Sequence, residues 1–276
     1  MRSAWVAFLL ISLLPQALFS QTPAVQPETN PNRAQEILKQ GRESIGGESV
    51  LTEIRSLSAG GNVRVVSGNR EIRGELKLKL LLPDRFMRTM SLTLGSKEIT
   101  ATEIVNGDRV QADPLPITDL PAADPGASAR ERQVRSEFYR FLIAVLPAPA
   151  WTSQFSYSFQ REMKMKVGKF DLLSVKGPDG FAVWLYVDQR THRPSMLSYL
   201  APAPPETGNQ QLNQDETGEP IMINYQCVFS DYRHVGDLWL PHQMTRTADG
   251  RVIEEWRIHK YKLNPELKPG QFEKRR

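Results

Sequence analysis

Apolar and polar residues alternate along residues 71–80, where every even position except Gly74 is apolar. A period of two is typical of a β-strand with one buried and one solvated face. The neighbouring segments continue the alternation with Val63, Val65, Phe86, Met90, Leu92, Leu94, Ile99, Ala101 and Val105. We therefore predict an antiparallel sheet with one apolar face over residues 60–111.

Turn-forming residues separate these segments at regular intervals. They are Ser67-Gly68-Asn69, Pro83-Asp84, Gly95-Ser96-Lys97 and Asn106-Gly107. Asn-Gly is the strongest short signal for a hairpin, and tight turns join antiparallel strands. A second strand series is predicted at residues 155–159, 163–169, 170–176, 181–188, 196–200, 221–233, 239–247 and 252–262. The fold class is thus mostly β, with all-antiparallel connectivity.

Three helical segments accompany the strands. One spans residues 31–45 and ends at Gly46-Gly47, and a short one spans residues 48–54. The third spans residues 130–146, with one apolar face made of Val134, Phe138, Phe141, Leu142 and Val145 and with Arg130, Glu131, Arg135 and Arg140 on or near the other. A large sheet usually needs more helices to cover its apolar face. We therefore expect part of that face to be left for a ligand.

The first twenty residues combine a basic start, an apolar core and a small-residue end, the pattern of a secretory signal peptide. The core is too short to span a membrane. Cleavage is predicted after Ser20, with Ala24 as a second candidate, and no cysteine stands near either site. We predict a soluble periplasmic protein with no transmembrane segment in the mature chain. Residues 21–32 are predicted to be a flexible leader, 33–272 a single domain, 201–220 a mobile loop within it, and 273–276 a basic tail.

Catalytic and cofactor motifs are missing from the sequence, which has no nucleophile elbow, phosphate-binding loop, dinucleotide pattern or zinc-protease helix. We predict no catalysis, no cofactor and no metal. His234, Asp231, Asp237 and His242 could converge in a metal site, although ordinary histidines at strand edges fit the pattern better. Cys227, the single cysteine of the chain, is predicted to be a small buried hydrophobic residue. The net charge of +4 comes from scattered basic residues, which indicate solvated strand faces rather than a nucleic-acid groove.

Apolar surface is the feature that points to function. Burying one methylene contributes about 0.8 kcal/mol, so an acyl chain can bind to an apolar face without a polar motif. Methionine pairs adapt to flexible ligands, but they are also common core residues. The residues predicted to line a lipid-binding cavity are Leu76, Leu78, Leu80, Met90, Leu92, Phe138, Leu142, Met163, Met165, Trp184 and Tyr186.

Several short features together resemble the LolA/LolB-like superfamily of exported lipid- and lipoprotein-binding proteins. They are the signal peptide, Ile45-Gly46-Gly47, Leu82-Pro83-Asp84-Arg85-Phe86, Asn106-Gly107-Asp108, the helix end at 141–146, Val187-Asp188, residues 191–194, Asp231-Tyr232-Arg233 and Leu240-Pro241-His242. The resemblance implies a half-open, strongly curved antiparallel β-barrel with a helical lid that shelters acyl chains. The carriers' gating arginine has four candidates here, Arg64, Arg73, Arg85 and Arg88.

Three functional hypotheses follow. The first is a periplasmic carrier or sensor of the acyl chains of lipoproteins or lipids, with the helix around Phe138 and Leu142 as part of the lid. The second is an envelope interaction or sensor module in which helices fill the apolar face and an exposed strand edge or rim loop binds a protein partner. The third is a hydrolase or metal enzyme that uses His234 and His242.

Overall fold

The computed structural model describes residues 31–113, 127–203 and 221–273. The predicted signal peptide and most of the predicted leader therefore lie outside the described residues. The same holds for most of the predicted 201–220 loop and for the last three residues of the basic tail.

Four α-helices occur in the described residues: α1 (Pro31–Ile45), α2 (Glu48–Glu53), α3 (Ala127–Val145) and α4 (Pro149–Thr152). Helix α1 ends at two glycines, Gly46 and Gly47, whose φ angles are 153° and 91°. A Cβ atom on Gly46 would lie 2.5 Å from the carbonyl oxygen of Asp237, so glycine lets the end of α1 approach the sheet. None of the described helices combines the length and apolarity needed to cross a bilayer.

Twelve strands of the described residues form one antiparallel sheet. They are β1 (Ser56–Ser67), β2 (Arg70–Leu81), β3 (Arg85–Leu94), β4 (Lys97–Asn106), β5 (Arg109–Ala112), β6 (Ser156–Met165), β7 (Gly168–Lys176), β8 (Ala182–Asp188), β9 (Pro194–Pro202), β10 (Met222–Val235), β11 (Leu238–Ala248) and β12 (Arg251–Leu263). Their order in the sheet is β5-β4-β3-β2-β1-β12-β11-β10-β9-β8-β7-β6. The sheet therefore consists of two meanders joined where β1 pairs with β12.

Helix α3 connects the two edges of this sheet, because β5 precedes it and β6 follows it after α4. The helix contacts β4 and β5 near one edge and β9 towards the other. A flat sheet could not bring these distant strands to one helix, so the sheet curves around α3. The predicted open, curved antiparallel sheet with helices on its concave face is confirmed.

Two predicted strand boundaries are wrong. Residues 156–165 form the single strand β6, with a bulge between Phe159 and Arg161, and residues 168 and 169 begin β7, so the predicted strands 155–159 and 163–169 do not match the observed ones. Strand β9 continues to Pro202, so residues 201 and 202 pair with β10 and do not begin the predicted loop. Helix α1 begins at Pro31, where the sequence predicts a helix.

Candidate functional site: the concave face beneath helix α3

An apolar inner wall lies on the concave face of strands β2 and β3. We define the inner wall as Leu76, Leu78, Leu80, Phe86, Met90 and Leu92. Cross-strand partners on this wall are Leu76 with Met90 and Leu80 with Phe86. The ring of Phe138 from α3 stacks on Phe86 at a centroid distance of 5.5 Å, and Leu142 is fully buried in the same core. The structure thus brings together seven of the predicted lining residues: Leu76, Leu78, Leu80, Met90, Leu92, Phe138 and Leu142.

The inner wall is covered in this conformation. Each of its six side chains is at most 4% exposed. The cavity found on the concave face of the described structure has a volume of about 10 Å³ and is lined by Cys227, Met244, Arg246, Glu254 and Trp256, room for about one water molecule. The expectation that part of the apolar face is left uncovered is therefore wrong here. The described structure thus leaves no open apolar surface on the inner wall.

The other four predicted lining residues lie on the convex face of the sheet. Tyr186 is the cross-strand partner of Leu172 and Met196, while the concave row runs through Leu173, Leu185 and Leu197. Strand β8 is apolar on both faces, so its alternation does not show which face is inside. In β6, the bulge before Arg161 turns Met163 outwards, where it pairs with Phe170. The structure places Met163, Met165, Trp184 and Tyr186 away from the inner wall.

A cluster of six charged side chains lies beneath α3, next to the inner wall. This buried ion cluster consists of Arg88 (β3), Glu103 (β4), Glu137 and Arg140 (α3), Arg246 (β11) and Glu254 (β12). The side chains of Arg88 and Glu137 are only 6% and 7% exposed. Buried charges cost free energy unless they are paired, and here three cations face three anions.

Glu137 is the centre of the buried ion cluster. Its Oε2 accepts a hydrogen bond from Nη2 of Arg246 at 2.6 Å, and its Oε1 accepts one from Nη2 of Arg140 at 2.9 Å. Nη1 of Arg88 lies 4.0 Å from the same carboxylate. On the sheet, Nη2 of Arg88 lies 2.7 Å from Glu103, and Nη1 of Arg246 lies 3.4 Å from Glu254.

These neighbours keep Glu137, Arg88 and Arg246 charged. Burial alone would raise the pKa of Glu137, but the charges of Arg140, Arg246 and Arg88 hold this pKa well below its usual range. Burial alone would lower the pKa of Arg88, yet the surrounding glutamates raise it above its ordinary value. The pKa of Arg246 is raised in the same way. At this cluster, the contact between α3 and the sheet is therefore ionic at neutral pH.

Only one of the four candidate gating arginines reaches the helix. Arg88 enters the buried ion cluster beside Leu78, its cross-strand partner. The others lie on the convex face or at a strand end: Arg64 pairs with Glu71 and Glu255, Arg73 with Glu71, and Arg85 with Asp84 and Asn106. Among the four, Arg88 alone has the position of an arginine that could hold a lid.

The buried ion cluster was missed in the sequence, where strand arginines read as a solvated face and Arg140 as part of the polar side of its helix. The missing signal is whether a residue stands at an odd or an even position along its strand, because this decides which face it lies on. Arg88 has the parity of Phe86 and Met90, and Glu103 has the parity of Ala101 and Val105. A charge at an inward-facing position predicts an ion pair in the core.

The alternative metal site does not assemble in the described structure. His242 is buried with Nδ1 3.0 Å from the carbonyl oxygen of Leu240, and His234 packs on Trp239. Asp231 pairs with Arg233. Within residues 31–113, 127–203 and 221–273, no group of three or more histidine, cysteine, aspartate or glutamate side chains is placed to hold a metal ion.

Two features mark the convex face. Near one edge, Phe272 of the 3-10 turn Pro269–Phe272 is fully buried, close to β3 and β4. A groove of about 580 Å³ lies beside it, lined by residues such as Lys79, Met87, Thr102 and Gln271. Near the other edge, Trp184, Leu200 and Met222 are 42%, 68% and 52% exposed on neighbouring strands β8, β9 and β10.

Comparison with known proteins supports the architecture. No protein-family model matches the chain, and no curated protein matches it. A putative outer membrane lipoprotein-sorting protein domain from Vibrio parahaemolyticus is similar in structure, with a TM-score of 0.50 and 11% identity, over 88% of this chain and 97% of that one. A LolA superfamily protein from Nitrosomonas europaea matches with a TM-score of 0.50 and 13% identity, over 87% of this chain and 97% of that one. The chain therefore has a LolA-like fold.

Proposed function

We propose that this chain, with its LolA-like fold, is a periplasmic carrier or sensor that binds acyl chains of lipoproteins or lipids on its concave face, without catalysis. The observation that carries the proposal is that α3 packs Phe138 on Phe86 of a continuous apolar wall inside an open sheet. One of the structural neighbours is named as a putative outer membrane lipoprotein-sorting protein domain. The predicted signal peptide at residues 1–20 supports export to the periplasm.

The connection of α3 favours its displacement. The helix joins β5 and β6, which are the two edges of the sheet and do not pair with each other in the described structure. The helix can therefore move without breaking the hydrogen bonds between strands. An acyl chain that replaced Phe138 and Leu142 would substitute one apolar surface for another on the inner wall, so the wall would stay dry.

The free energy of binding is the difference between the gain from burying the acyl chain and the cost of exposing apolar side chains of α3. Each methylene placed on the inner wall contributes about 0.8 kcal/mol, whereas exposing a large apolar side chain of α3 costs about 1.5–3 kcal/mol. A long chain can therefore displace the helix only with a modest net gain. Reversible binding of this kind is what a carrier needs to release its ligand.

Two matched phenylalanine substitutions test the proposal. Phe138→Ala removes the contact between the lid and Phe86, so it lowers the cost of displacing α3 and is expected to tighten binding of a fluorescent long-chain fatty acid. Phe272→Ala removes a buried ring on the convex face and is expected to leave this affinity unchanged. Saturable binding by wild type with this pattern supports the carrier, and its absence in all three proteins contradicts it.

A second candidate function is an envelope interaction module without lipid cargo. The filled concave face and the exposed side chains of Trp184, Leu200 and Met222 favour it, because contiguous exposed apolar side chains often mark binding sites. Under this alternative, a stable protein partner co-purifies without lipid, and Leu200→Ser with Met222→Ser releases it. Phe138→Ala would have no effect on that partner.

A further inference from the structure

The buried ion cluster divides into two neutral halves. On the helix, Glu137 and Arg140 are three residues apart and bonded to each other at 2.9 Å. On the sheet, Arg88 pairs with Glu103, and Arg246 pairs with Glu254. If α3 leaves the concave face, neither side keeps an uncompensated net charge. The cost that normally follows from breaking a buried ion pair is therefore reduced.

Displacement of α3 nevertheless leaves specific donors without an acceptor. Nη2 of Arg246 loses its 2.6 Å bond to Glu137. Within the described residues, Nη1 of Arg88 and Nε of Arg246 are buried and already lack a hydrogen-bond partner. Nη1 of Arg88 lies 4.0 Å from the Glu137 carboxylate and 3.7 Å from that of Glu254. The Glu137 carboxylate thus occupies a position between the guanidinium groups of Arg88 and Arg246.

This place lies within the inner wall. Arg88 stands on β3 between Phe86 and Met90, and its cross-strand partner on β2 is Leu78. The ring of Trp256 lies 5.6 Å from the guanidinium group of Arg88. If the head group of a molecule lay between Arg88 and Arg246, its hydrocarbon chain would contact the leucine side chains of the inner wall. The geometry matches an amphiphile with an acidic head.

We propose that the Glu137 carboxylate is an internal substitute for the head group of a carboxylate amphiphile, such as a free fatty acid, which binds between Arg88 and Arg246 as α3 is displaced. This inference rests on the proposed function and adds the chemistry of the ligand. Hydrogen bonds between ionised partners are stronger than neutral ones, so the head group selects acids over neutral acyl compounds. Arg88 and Arg246 are ligand-binding residues in this account, and Glu137 is their competitor.

The test compares one fluorescent fatty acid with its methyl ester, using the full chain. The acid is expected to bind at least about tenfold more tightly than the ester, since a bond to a charged group is worth at least that factor. Glu137→Gln removes the competing anion while keeping the side chain's shape, so it should tighten binding of the acid. Arg246→Met should abolish the preference while binding of the ester persists.

A matched control comes from the convex face. Arg64 pairs with Glu255 at 2.9 Å on the strands that neighbour the cluster, and Arg64→Met should leave the preference for the acid intact. Circular dichroism verifies that each variant is folded. Equal affinity for acid and ester in wild type overturns the head-group proposal but leaves the carrier standing. Failure of both ligands to bind overturns the carrier itself.

Discussion

The carboxylate of Glu137 lies 2.6 Å from the guanidinium group of Arg246, so helix α3 meets the middle of the sheet through an ion pair between buried side chains. The pair joins a residue on the lid to a residue on β11, 109 positions away. Apolar contacts surround it on the inner wall. Helix α3 is thus held on the sheet by ionic contacts of Glu137 that lie among apolar side chains.

Removing one partner of this pair should cost much stability. Glu137→Ala leaves Arg88 and Arg246 without their shared anion, so we expect the free energy of unfolding to fall by about 3–5 kcal/mol. Glu255→Ala removes the equivalent carboxylate from the partly exposed pair with Arg64 and should cost about 1 kcal/mol or less. Urea denaturation followed by circular dichroism measures both. Similar losses in the two variants would show that the cluster does not hold α3.

The same carboxylate should make stability depend on pH. The pKa of Glu137 is lowered in the folded state by Arg140, Arg246 and Arg88, against the opposing effect of burial. Its contribution is therefore complete above the ordinary pKa of 4.5 and is lost as the pH falls below that value. The slope is at most about 1.4 kcal/mol per pH unit for one proton.

Wild type and Glu137→Gln separate this effect from that of the other carboxylates. The difference between their free energies of unfolding should be largest near pH 7 and should shrink as the pH falls from 5 to 3 (roughly the range set by the lowered pKa). A difference that stays constant with pH would mean that Glu137 does not carry this dependence.

Cys227 should resist thiol reagents in the folded protein. The side chain is buried beside the cluster, and burial raises the pKa of its thiol to about 11. The thiolate that reacts is therefore scarce, and the reagent has no access. At a mildly alkaline pH, labelling should await unfolding. A second thiol placed at Met222, which is 52% exposed on the same strand, should react at once, and equally fast labelling of Cys227 in native protein would contradict its burial.

Gly74 is required by the close approach of β2 and β3. A Cβ atom on Gly74 of β2 would lie 1.9 Å from the carbonyl oxygen of Ser91 on β3. Gly74→Ala should therefore force the strands apart and lower the free energy of unfolding by about 1–3 kcal/mol. Gly60→Ala is the control, because a Cβ atom there meets nothing within 4 Å. Thermal unfolding of the two variants should differ clearly, and equal melting temperatures would refute the steric account.

The alternation of residues was sufficient to predict the first half of the sheet and its inner face. From β1 to β4 most apolar side chains lie on the concave face, so their spacing identifies that face, although Ile104 is buried on the convex face and Arg88 and Glu103 lie on the concave one. In β8 both faces are apolar, so the positions of Trp184 and Tyr186 could not be read from their spacing. The bulge before Arg161 reverses the faces in β6 without any signal from glycine or proline.

The buried ion cluster could be predicted only in part. Arg88 and Glu103 stand at inward-facing positions of adjacent strands, and their register follows from the hairpin. Glu137 and Arg246 meet only because α3 crosses the sheet, a tertiary contact that no local pattern encodes. For the same reason the sequence suggested an uncovered apolar face, whereas the C-terminal half of α3 fills it.

Photoaffinity labelling tests the central claim most directly. A diazirine fatty acid is bound to the protein, irradiated, and the labelled residues are located by peptide mass spectrometry, with an excess of unlabelled fatty acid as competitor. We expect competitor-sensitive labels on the inner wall at Leu76, Leu78, Leu80, Met90 or Leu92 and on the facing side of α3. Labels confined to the convex face around Met163, Trp184 and Leu200, or none that the competitor removes, would contradict acyl-chain binding beneath α3.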